Sequence, residues 1–109
     1  MSSFELVYIT VGSLKEGSAI ARTLVQERLA ACANIIPEMQ SVYRWQGEVQ
    51  NDNECVVIAK TRKSLFSDLR TRVQELHSYD TPCIVALPIE DGSADYLTWL
   101  QTETEERAA

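Results

Sequence analysis

The chain has 109 residues, 45% of them hydrophobic, and a formal net charge of −6. A chain of this length buries about two-thirds of its unfolded surface, so residues 1–109 are expected to form one domain that needs no disulfide or metal staple. The acidic balance argues against nucleic acid and against an anionic membrane surface, both of which call for a basic face.

The opening stretch "MSSFELVYITV" has no basic region and carries Glu5 inside its apolar run, so it does not read as a signal peptide. No stretch approaches the roughly 18 apolar residues that a bilayer-spanning helix requires. "FELVYITV" predicts a strand with Leu6 and Tyr8 on one face and Val7, Ile9 and Val11 on the other. Both faces are apolar, which places this strand inside a sheet and covered. Ser13 and Glu16 form S-x-x-E, a capping box that opens a helix. Its expected core face is Ile20, Ala21, Leu24, Val25 and Leu29.

"ACANIIP" returns to extended backbone, and "SVYRWQGEVQ" predicts a hairpin tip turning at Gln46-Gly47, with "ECVVIAKT" as the second arm. Thr61 or Ser64 is expected to cap the next helix. Leu65, Leu69, Val73 and Leu76 form its core face with Phe66 beside them, and Arg70 and Arg72 point outward. "HSYDTP" ends that helix, "CIVALPI" is a fourth strand, and Ser93 caps a last helix carrying Tyr96, Leu97, Trp99 and Leu100. The order is that of an α+β, ferredoxin-like β-α-β-β-α-β antiparallel sheet with helices on one face and an added C-terminal helix. The other face would lack helical cover, yet Tyr8, Tyr43, Trp45, Val56 and Ile58 make it apolar. A large apolar face left in water is an association surface, so an oligomer is expected.

Three cysteines, Cys32, Cys55 and Cys83, lie far apart with no C-x-x-C pair. That spacing fits neither a disulfide framework nor a zinc finger and points to a reduced, cytoplasmic protein. No nucleophile elbow, phosphate-binding glycine loop or paired helical metal ligands occur, so neither an enzyme nor an organic cofactor is expected.

His77 is the single histidine. Its imidazole and the nearby Cys83 thiol are candidate ligands for copper or another divalent metal. The competing reading makes His77 the C-terminal residue of a helix and Cys83 and Cys55 small buried hydrophobes. Tyr43, Trp45, Lys60 and Tyr79 are the candidate cleft residues, with Lys60 and His77 lining an intersubunit cleft for an anion or a small metabolite. The competing reading packs the aromatics at an interface and lets Lys60 snorkel from a strand end.

At "AACANIIP", "SVYRWQGE", "VVIAKTRKSLF", "HSYDTP", "ALPI" and "DYLTWL" the chain resembles the CutA family, the divalent-cation tolerance proteins, from the first strand to Leu100. The resemblance implies a ferredoxin-like homotrimer similar in build to the PII signalling proteins, with hairpin arms that extend sheets across subunit boundaries. It also implies a cytoplasmic role in tolerance of copper and other divalent metals. Ser78 and Cys83 stand where the family usually has proline and glutamate, and Glu38 where it often has glycine. Ile9 and Leu76 occupy positions where some bacterial members carry cysteine and histidine, so most ligands argued for those members are missing. Two functions follow: metal binding through His77 and Cys83, or a PII-like regulatory module that takes a small ligand or protein partner in intersubunit clefts.

Overall fold

The computed structural model of the chain describes residues 3–105. β1 (Phe4–Val11) buries Val7, Ile9 and Val11 completely and turns Leu6, Tyr8 and Thr10 to the opposite face, as strand alternation requires. It runs antiparallel to β3 (Glu48–Arg62) on one side and to β4 (Ile84–Ile89) on the other. β2 (Cys32–Trp45) pairs with the outer side of β3, giving the order β2-β3-β1-β4. This is the expected ferredoxin-like sheet.

α1 (Leu14–Gln26) and α2 (Phe66–Leu76) cover one face. Ile20, Ala21 and Leu24 of α1 and Leu69 and Val73 of α2 meet Val7, Ile9, Val11, Val57 and Ala59 in a single core. Val25 departs from expectation and is exposed, because the helical period carries it off the stripe set by Gly17, Ile20, Ala21 and Leu24. Arg72 does leave the core, but its guanidinium grips both Glu27 carboxylate oxygens and ties α2 to the end of α1. The caps also differ from expectation. Thr61 is buried and donates its hydroxyl to Leu29 O at 2.6 Å. Ser64 lies within a 3-10 turn, Lys63–Leu65, that leads into α2, and Ser93 makes no side-chain capping bond to α3.

The β2–β3 hairpin is the longest feature, with arms of 14 and 15 residues. It turns at Gln46 (φ 50°) and Gly47 (φ 83°), two left-handed residues that match the twist of the arms. The ladder shifts register between Ile36 and Met39. Pro37 has no N–H to donate there, so the regular ladder is interrupted and the hairpin divides into a basal and an outer half.

α3 (Ala94–Glu103) corrects the expectation of an uncovered second face. Leu100 is fully buried outside the helix-side core. Tyr96 lies against Lys60, and Arg62 donates to Thr104 Oγ1 at 3.0 Å. Lys60 and Arg62 share the face opposite Val57 and Ala59, so α3 covers the end of the open face that they occupy. Of the remainder, Val56 is buried, contrary to expectation, whereas Val85 and Leu87, each 49% exposed, stay open.

Candidate functional site

At the other end of the open face, the outer half of the hairpin and the segment after α2 enclose a groove of about 710 Å³. Tyr8 and Thr10 form its floor, Met39, Tyr43 and Trp45 its hairpin wall, and Tyr79, Asp80 and Cys83 the opposite wall, with Glu54 among the lining residues. Two phenols are tied to carboxylates. Tyr43 donates to Asp52, and Tyr79 donates to Glu54 at 2.9 Å. Burial and the Glu54 hydrogen bond push Tyr79 up to about 12, and the bond to Asp52 raises Tyr43. Both rings stay protonated donors at neutral pH.

The wall that carries Tyr79 is positioned by His77, whose side chain is fully buried at the end of α2. The Tyr79 N–H donates to Nδ1 at 3.0 Å. Nδ1 is therefore unprotonated, and the ring proton sits on Nε2, which donates to Thr10 O at 2.7 Å. The Tyr79 ring stands 4.7 Å from the imidazole. Glu16 fixes the next residue, accepting from Ser78 N at 2.8 Å and from Ser78 Oγ at 3.1 Å. Only half of the expected capping box forms: Ser13 Oγ accepts the Glu16 N–H, while the Glu16 carboxylate turns to Ser78. Burial pushes that carboxyl up, but the two Ser78 bonds and the Gly12 backbone outweigh it and hold it below its ordinary value.

Tyr43, Trp45, Tyr79 and Cys83 thus share one groove. Lys60 lies outside it, its ammonium 5.4 Å from the Tyr96 ring centre, because it is four residues along β3 from Val56, the partner of Thr10. Within one chain, Lys60 and His77 do not line a common cleft. Cys83 precedes β4 and is exposed rather than buried within a strand, whereas Cys55 is buried. Although the residue is exposed, partial burial raises the Cys83 thiol and the Glu54 charge adds to this, while a hydrogen bond with Thr10 works in the opposite direction. The sequence reading did not single out Glu54, Met39, Thr10 or Asp80. For Glu54 a signal was present: its parity with Val56 and Ile58 assigns it to the open face.

The residues present do not fit a resident metal within one chain. Both His77 nitrogens are engaged, and among the described residues no group of three His, Cys, Asp or Glu side chains is placed to hold an ion. The arrangement is that of an open groove with a hydrogen-bonded frame.

Fold and groove together describe a ferredoxin-like α+β domain with a groove on its open sheet face. The profile of the CutA1 divalent ion tolerance protein family matches residues 5–103, and the chain belongs to that family. It is 51% identical over 100 residues to the divalent-cation tolerance protein CutA of Thermus thermophilus, covering 92% of this chain and 97% of that protein. The solved structure of the Thermus thermophilus protein superposes with a TM-score of 0.91 at 50% identity, covering 93% and 98% of the two chains. A structure described as the periplasmic divalent cation tolerance protein CutA of Archaeoglobus fulgidus gives 0.91 at 40% identity, covering 94% and 99%. The chloroplastic protein CutA of Arabidopsis thaliana is 48% identical over 91% of this chain, which spans about half (54%) of that protein's length. Among the described residues no helix is long and apolar enough to cross a membrane.

Proposed function

We propose that this chain acts in divalent-cation tolerance as a homotrimeric, cytoplasmic ligand-binding or sensing protein of PII-like build, and not as an enzyme. The observation that carries this reading is the exposed apolar surface of the hairpin and open sheet face. Val42 is 68% exposed, Val49 66% and Trp45 53%, on arms long enough to reach a neighbour. Association would cover these side chains and wall the groove with a second subunit. The three unpaired cysteines support a reducing compartment.

Direct copper binding is the second reading. Cys83 and Glu54 of the groove favour it, and its remaining ligands would have to come from a neighbouring subunit. The test is titration calorimetry on material of verified mass, with copper, zinc, nucleotides and small organic ions. The groove reading expects an organic ligand whose affinity falls on substitution of Tyr43 or Tyr79. Copper binding that depends on Cys83, with no organic ligand at the groove, would replace it with the metal reading.

A further inference from the structure

The part of the groove lined by one chain is one-signed. Glu54 and Asp80 line it, Asp52 accepts from Tyr43, and among the described residues no lysine, arginine or histidine lines it. Four aromatic rings, Tyr8, Tyr43, Trp45 and Tyr79, share that lining with the Met39 thioether. We infer that the groove binds an organic ammonium ion, its charge held by Glu54 and Asp80 and its alkyl groups lying against Tyr43, Trp45 and Tyr79.

Three features point to this ligand class. The faces of aromatic rings are negative and attract a weakly hydrated cation, most strongly where water is partly excluded. The phenol–carboxylate bonds fix the Tyr43 and Tyr79 rings before any ligand arrives, which lowers the ordering cost of binding. The groove volume of about 710 Å³ is that of a small-molecule site. Competing ligands match it less well. A carboxylate or phosphate would meet like charge. A hydrated inorganic dication needs several converging ligands, and the described residues offer no such group.

This inference rests on the groove being a ligand site, and the experiment separates the two. The wild-type protein, at verified oligomeric mass, is titrated with tetramethylammonium, spermidine, magnesium and citrate. Tetramethylammonium or spermidine should saturate at one site per chain. Glu54→Gln should weaken binding roughly tenfold, and Tyr79→Leu several-fold through the lost ring. Tyr79→Phe keeps the ring and should bind more tightly than Tyr79→Leu. Asp68→Asn, on the outer side of α2, should change nothing. Equal weakening by Asp68→Asn and Glu54→Gln would reduce the effect to diffuse charge attraction and overturn the inference, as would undiminished binding by Tyr79→Leu. Citrate binding without ammonium binding overturns this inference and leaves the ligand groove standing. No binding of either organic class overturns both.

Discussion

His77 shows how one side chain organises a wall. Its buried ring joins the Thr10 carbonyl to the Tyr79 amide and so holds Tyr79 over the groove. His77→Ala would strand both backbone groups, a loss of roughly 3 kcal/mol in chemical denaturation. An unchanged unfolding midpoint would show that the ring is structurally idle and return it to ligand duty. Glu16 gives the same region a pH response. Its carboxyl is held below the ordinary value of 4.5, so its contribution is complete above that value and is lost as pH falls through the lower, folded value. Glu16→Gln should therefore cost stability at neutral pH, and the gap to wild type should narrow on acidification below about 4.5, read from urea midpoints at several pH values.

At the scale of elements, the strands and helices were legible because their patterns are local. β1 alternates, α1 repeats at 3.6 residues, and Gln46-Gly47 marks the turn. Gly47 has φ 83° and no atom within 4 Å of an added Cβ, so Gly47→Ala costs backbone strain alone. A loss of about 1 kcal/mol is expected, with the fold unchanged by circular dichroism. The site was only partly legible. Tyr43, Trp45 and Tyr79 stood out as aromatics in a hairpin and a turn. Their carboxylate partners did not, because Tyr79 and Glu54 are 25 residues apart and meet only after the sheet has formed. Lys60 is near the hairpin in sequence, yet its strand carries it to the far end beneath α3, outside the groove of its own chain. The cover given by α3 also depends on long-range bonds, Arg62 to Thr104 and Arg28 to Glu103, that no periodicity encodes.

For the whole molecule, the decisive quantity is apolar surface left outside the core. Light scattering at low concentration should give three times the chain mass of 12.3 kDa. Trp45→Arg should lower that mass, since it places a charge where an apolar contact is expected. If unfolding is reversible, Tm should rise with protein concentration, because assembly draws on the folded state alone. A Tm independent of concentration, together with the mass of a single chain, would remove the trimer.

The interruption near Pro37 sets an order of events in time. Basal β2 and β3 join the helix-covered core, whereas the outer arms beyond Tyr8–Met39 and Tyr79–Glu54 have little besides each other. A two-stranded ribbon alone is marginal in water. The core should therefore consolidate first and the arm last, on the proposed association with a second subunit. Backbone amides make the sequence visible. In the assembled protein Val42 and Val49 should exchange with deuterium slowly, and on dilution they should lose protection well before Val7 or Ile9. Simultaneous loss at all four positions would mean that arm and core open as one unit.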